Sequence, residues 1–252
     1  MEIEKNVDLL QLYRGNDYAI NDQLVIHQPS LNEICDYGEK KYFNMVHTLC
    51  SVGADLKWQL DDVGIDYTTV SDYDLFCSIL SREFTKEQTK ILFGDVIDFS
   101  KMIYCFNKKI EEKVLVQIVN NDVYLQIDRF VYSSIVNVLR YMHRMKRNDE
   151  LPGNEATKRI LIEDAREEYE LNKSKSQKSY LLPLISTMVN SEGFKRDDQS
   201  VFDMKIYAFL DSVGRIGKIK NAGLLLSSGY SGFGIDLKKI DKEELNWLGD
   251  LD

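Results

Sequence analysis

The 252-residue chain is short of the residues that usually mark a specialised chemistry: it has three histidines, two tryptophans, three prolines and four cysteines. Cys35, Cys50, Cys77 and Cys105 form no Cys-x-x-Cys pair, which argues against a zinc ribbon or a dithiol redox motif. Each has an apolar neighbour (Ile34, Leu49, Phe76, Tyr104), so four reduced thiols acting as small core residues are expected. His27, His47 and His143 show no His-x-x-x-His or Glu-x-x-His spacing, so nothing local points to a metal site. Long apolar runs are missing too. The longest, Tyr180 to Val189, is interrupted by Pro183, Ser186 and Thr187 and falls short of the ~20 residues a membrane span needs. Met1-Glu-Ile-Glu-Lys is charged and leads into no apolar run, so no signal peptide and a reducing, cytosolic setting are expected.

Positive charge is also in deficit, with 32 Lys and Arg against 41 Asp and Glu and a net charge of −9. That balance favours solubility and argues against a nucleic-acid binder driven by phosphate contacts. One basic run, Arg140, Arg144, Lys146 and Arg147, closes a helical pattern, where attraction to the helix C-terminus accounts for it without a ligand. Lys173, Lys175, Lys178, Lys218 and Lys220 are candidates to widen it into a positive face. Asp61, Asp62 and Asp66 match a hard-cation loop only in charge, lacking alternating carboxylates, and read as a solvated turn.

What is present reads as an α+β fold, with β-hairpins and helices in the N-terminal part and a mainly helical C-terminal part. "LLQLYRG" and "YAINDQLVIHQPS" alternate like strands, with Asn16-Asp17 and Asn21-Asp22 as turns. From Leu31 the apolar residues adopt helical spacing behind a Ser30-x-x-Glu33 capping box, and Gly38 interrupts them. Ser71-x-x-Asp74 and Thr85-x-x-Gln88 predict caps for helices over about 72–83 and 86–93. "KVLVQIVNNDVYLQID" predicts a hairpin turning at Asn120-Asn121. Val131, Ile135, Val138, Met142 and Met145 then mark a helix face.

"KRNDELPGNEAT" reads as a linker, which suggests an α+β domain over 1–148 and a helical domain over 149–228. Within the latter, Ala156, Ile160, Ala165 and Tyr169 form a narrow stripe. A second helix starts near Ser179 with Pro183 tolerated in or near its first turn. A third carries Phe202, Ile206, Phe209, Val213 and Ile216. Gly214 and Gly217 weaken that third helix by roughly 1 kcal/mol each, which close approach of a neighbouring helix would explain.

Residues 229–252 form a glycine-rich joint and a C-terminal docking segment. Gly229-Tyr-Ser-Gly-Phe-Gly lacks the glycine order of a dinucleotide loop, the Gly-Lys-Ser/Thr of a P-loop and the second glycine of a nucleophile elbow. A helix stop at Gly229 followed by a flexible joint is the expectation. Beyond it, Asp241 can cap a short helix with Glu244 as its box partner, gathering Leu245, Trp247, Leu248 and Leu251. These four either dock on the parent domain or bind a partner, tryptophan being favoured at binding hot spots. No catalytic, cofactor or metal constellation emerges.

"YRGNDYAINDQLVIHQPSLNEICDYGEKKYFNMV", "IDRFVYSSIVNVLRYMHRM" and the C-terminal "MKIYAFLDSVGRIGKIKNAGLLLSSGYSGFGIDLKKIDKEELNW" together resemble proteins from the tail modules of tailed bacteriophages of Gram-positive hosts. The resemblance implies a tail-assembly chaperone of the host cytoplasm. Such a protein binds the tape-measure protein and keeps it soluble until tube protein replaces it. It assigns no active-site residue. Two alternatives stay open: a structural tail or neck component kept in the virion, and an enzyme with a site assembled from distant residues, which a metal-dependent activity lost on changing Asp61, Asp62 or Asp66 would reveal.

Overall fold

A computed structural model of the chain describes residues 7–119, 122–174, 178–231 and 234–251. It begins with a helical turn, α1 (Leu9–Tyr13), where alternation predicted a strand. Asp8 caps it by accepting from the Gln11 amide, and the turn buries only Leu12, so local capping overrides the alternation. A two-rung hairpin, β1 (Tyr18–Ala19) and β2 (Val25–Ile26), turns through Asn21, whose Oδ1 accepts from the Gln23 and Leu24 amides. Next come α2 (Leu31–Tyr37), with both bonds of the Ser30/Glu33 capping box formed, and α3 (Glu39–Cys50). Gly38 separates them at φ 99°, a conformation that glycine adopts without a Cβ penalty.

Helices α4 (Lys57–Asp62), α5 (Asp72–Ser78) and α6 (Lys86–Phe93) follow. Ser71 caps α5 by accepting from the Asp74 amide, and at α6 Gln88 Oε1 reaches back to accept from the Thr85 amide at 2.8 Å, but α5 ends early and Leu80–Glu83 tightens into a 3-10 turn. Strands β3 (Met102–Asn107), β4 (Glu112–Val119) and β5 (Asp122–Ile127) form an antiparallel sheet in that order. The β4–β5 hairpin matches the sequence pattern, while its Asn120-Asn121 turn lies outside the described residues. Strand β3 is an addition that the pattern did not reveal, and this sheet is separate from the β1–β2 pair.

Helix α7 (Arg129–Met142) is capped by Asp128 and buries Tyr132, Ile135, Val136, Val138, Leu139 and Met142. The remaining helices are α8 (Glu155–Lys173), α9 (Leu181–Val189, with Pro183 in its first turn), α10 (Ile206–Tyr230) and α11 (Lys242–Leu245). This is the α+β architecture predicted, with strands confined to the first half and a mostly helical second half. Phe202 stands in a 3-10 turn ahead of α10 rather than in it.

One core spans both halves of the chain. Tyr42, Phe76, Phe93, Leu125, Ile135 and Leu139 share it with Leu181 and Met188 of α9 and Ile206, Phe209 and Leu210 of α10. Main-chain bonds fix the start of α10 to the N-terminal region: the Leu31 amide donates to Met204 O at 3.0 Å and the Ile206 amide to Pro29 O at 3.0 Å. Beside this seam His27 lies 2.8 Å from Asp17 and 2.9 Å from Glu33. Burial opposes ionisation of Glu33, yet bonds from the Ser30 amide and hydroxyl, His27 and the charge of Lys205 hold its carboxyl down at about 2.

A smaller core joins Leu60, Tyr67, Leu75 and Leu80 to Ile162 of α8. The buried face of α8 therefore differs from the stripe read in sequence: Ala156, Ile160 and Tyr169 are exposed, and Ile162 alone is fully buried. Tyr169 nonetheless packs on Trp58 with ring centroids 4.9 Å apart, on the same side of α8 as Ile162, so the stripe holds at its C-terminal end and shifts at its start. Lys158 reaches Asp66 at 2.7 Å and Arg166 reaches Asp62 at 2.6 Å, so the acidic run is an exposed turn, as its composition predicts, with ion pairs to α8 added across it. The Lys158 contact leads the causes that lower the Asp66 carboxyl to about 2. The cysteines also divide: Cys50 and Cys77 are buried, with burial pushing both thiols up to about 12, whereas Cys35 and Cys105 are exposed.

Candidate partner-binding surface

Helix α10 is 25 residues long, roughly 37 Å at 1.5 Å per residue. Its first turns bury Ile206, Tyr207, Phe209 and Leu210; past Arg215 the only fully buried residue is Ala222. The helix therefore leaves the core, and the C-terminal segment folds back antiparallel along its emerging length. Leu237 lies over Gly229, where an added Cβ would collide with the leucine side chain. Further on, the Asn221 amide donates to Glu244 Oε2 at 2.9 Å, and Leu251 Cδ1 comes within 3.2 Å of where a Gly214 Cβ would stand.

These contacts revise three expectations. Helix α10 runs one residue past Gly229, to Tyr230; Gly232 and Phe233 of the joint lie outside the described residues. The neighbour that Gly214 admits is an irregular chain end rather than a helix, and Gly217 faces open space. Asp241 caps α11 by accepting from the Glu243 amide, but Glu244 bonds to Asn221 instead of closing a box.

Cations on two helices grip the segment by its main chain. Arg215 Nη1 donates to Trp247 O at 2.9 Å and Gly249 O at 2.8 Å, and Lys218 Nζ donates to Asp250 O at 2.5 Å. Arg144, just past the end of α7, donates to Leu251 O and reaches Asp211 at 3.4 Å. The Met145 amide bonds to Arg140 O and the Arg144 amide to Tyr141 O, a Schellman ending with Arg144 in the left-handed position at φ 51°. Glycine usually stands there, so this arginine is held against a backbone preference of about 1–2 kcal/mol.

The four apolar residues read as candidates split in two. Leu245 and Leu251 are half-buried against α10, while Trp247 is 48% exposed and Leu248 73% exposed. The sequence brought all four close together but gave no sign of which would face outward, because that depends on where α10 leaves the core.

The basic run lines a cleft of about 780 Å³ between the end of α7, α10 and the segment. Arg140 donates to Cys50 O at 2.7 Å, and Arg147 pairs with Asp72 at 2.8 Å and with Asp149. Of the lysines read as widening this patch, Lys173 pairs with Glu170 at 3.5 Å and Lys220 bonds to Ser191 at 3.1 Å, whereas Lys218 holds Asp250 O at the cleft wall. Lys175 lies outside the described residues. Below the cleft, buried His143 donates from Nδ1 to Leu139 O at 2.7 Å and accepts at Nε2 from the Tyr42 hydroxyl at 2.6 Å. Burial is the main reason its pKa falls to about 4, so the imidazole is neutral and structural.

Among the described residues, no group of three His, Cys, Asp or Glu side chains is placed to hold a metal ion, and no helix is long and apolar enough to cross a membrane. No family model, curated protein or solved structure matches the chain. The features that bear on function are therefore its own: a clamped segment, two outward apolar side chains and a basic cleft beside them.

Proposed function

We propose that the chain is a non-enzymatic tail-assembly chaperone that binds another phage tail protein, the tape measure or the tube protein, in the host cytoplasm. The resemblance of its sequence segments to tail-module proteins supplies the class. The observation that carries the reading is the outward display of Trp247 and Leu248 on a segment whose main chain is fixed by Arg215 and Lys218. A tryptophan held in place at an exposed site loses little conformational freedom on binding, the usual condition of a hot spot.

The test is co-purification with the tape-measure protein of the same phage, alongside mass spectrometry of purified particles. A chaperone is recovered with the tape measure in lysate and is absent from particles, and Trp247→Ala weakens the complex by about 2 kcal/mol or more. Stoichiometric presence in particles would replace this reading with that of a structural tail or neck component. Capture unaffected by Trp247→Ala would move the interface elsewhere.

A further inference from the structure

The cleft beneath the C-terminal segment has a charge imbalance that the segment does not remove. Its walls carry Arg140, Arg144, Lys146, Arg147 and Arg215 against the fixed carboxylates of Asp149 and Asp211, with Asp250 of the segment a third. Among the described residues, Lys146 has no hydrogen-bond or ion-pair partner. About 780 Å³ stays open with the segment in place. Arg147 is paired with Asp72 and Asp149, Arg144 with Asp211, and Arg140 is bonded to Cys50 O, so Lys146 is the cation left to meet an anionic group, and exposed Leu9 and Tyr141 give one side an apolar lining.

The segment itself indicates what kind of ligand fits. Arg144, Arg215 and Lys218 bond to the main-chain carbonyls of residues 247, 249, 250 and 251, which reads a turned backbone, closed by the Gly249 amide on Asn246 O at 3.0 Å, rather than a sequence. Side-chain selection is limited to Leu251 in the gap left by Gly214 and to Asp250 at the cleft wall. An acidic residue followed by leucine, just past a tight turn, is the pattern bound in cis.

We propose that the cleft between α7 and α10 is a docking groove for a turn-forming, acidic, leucine-bearing segment of a partner protein, and that residues 246–251 occupy part of it as a competing internal ligand. The groove admits a partner segment when the internal one lifts, and the carbonyl-directed arginines then serve the partner's backbone. Naming a tail protein as that partner rests on the function proposed above; the groove itself does not.

The experiment titrates a fluorescein-labelled peptide of residues 241–251 onto the full chain and onto two releasing variants. Leu251→Asp removes the anchoring side chain. Gly229→Ala dislodges the segment at its other end through Leu237 and leaves every cleft residue intact. An internal competitor on a short tether acts at an effective concentration near the millimolar range, so each variant should bind the peptide about tenfold or more tighter than the unaltered chain. Adding Arg215→Glu to either variant should abolish the gain.

Equal affinity for all forms, or no binding to either variant, would overturn the groove. So would sedimentation showing a concentration-dependent dimer lost in Gly229→Ala, since the segment would then be exchanged between copies. Peptide binding that persists while tape-measure capture fails would count against the chaperone reading alone, and capture without peptide binding against the groove alone.

Discussion

The first and last turns of α10 belong to one helix yet are held by opposite physics. Near its start Ile206 and Phe209 are fully buried in the common core, where shape and burial determine the arrangement. Beyond Arg215, Ile219 and Leu224 are exposed and the neighbouring chain is held through charged donors on carbonyls. The first arrangement cannot change without opening the core. The second can, because its bonds are exchangeable with water at modest cost, and low local stability is where binding segments are usually found. The contrast places the fold at one end of the helix and the proposed recognition at the other.

The largest test of that contrast is Phe209→Ala, which should cost about 3–5 kcal/mol in chemical denaturation as a cavity opens in the common core. A loss below 1 kcal/mol would mean that the start of α10 is as loosely held as its end. Acidification probes the same core. His143 is neutral when folded, with a pKa of about 4, whereas unfolding returns it to about 6.5. Between these values the unfolded chain binds the extra proton, so stability is full above pH 6.5 and declines toward pH 4 by roughly 3 kcal/mol. A Tyr42→Phe/His143→Leu double variant should flatten that stretch of the stability profile; an unchanged slope would assign it to other groups.

At the far end the effects should be local. Arg215→Ala removes two bonds to the segment, so amide exchange and proteolysis within 235–251 should speed up while global stability moves by less than about 1 kcal/mol. A cooperative loss of the whole fold would break the comparison. Arg144→Gly sharpens it further. The backbone relaxes at the left-handed position by about 1–2 kcal/mol, against the loss of the bond to Leu251 O and of the 3.4 Å contact with Asp211. The unfolding midpoint should hold or rise as the segment becomes more accessible to protease, a pairing of signs that a purely structural arginine would not give.

Local chemistry was legible in the sequence wherever it acts over a few residues. Ser30 with Glu33, Thr85 with Gln88, and Gly38 each did what their spacing predicted, because a cap or a left-handed break is decided within one turn. Strand β3 was missed since its apolar residues, Met102 to Phe106, follow a 3-10 turn and were not matched to a partner until β4 lay beside them. The stripe on α8 was legible only in part because the surface that Ile162 and Tyr169 pack against, Leu60, Leu80 and Trp58, comes from about a hundred positions away in the chain. Of the candidate surface, the sequence held the four apolar residues and the basic run as separate features. Nothing in their spacing joined Arg144 to Leu251, 107 residues apart.

Composition and short-range pattern thus determined the α+β class, the helix caps, the β4–β5 hairpin and the apolar character of the C-terminal segment. Only the tertiary structure decided that this segment returns along α10, that Leu251 fills the space above Gly214 and that Trp247 and Leu248 face outward. The physical reason is range. Caps and turns are settled by contacts within a few residues, while the exposure of a side chain depends on which distant surface arrives to cover it.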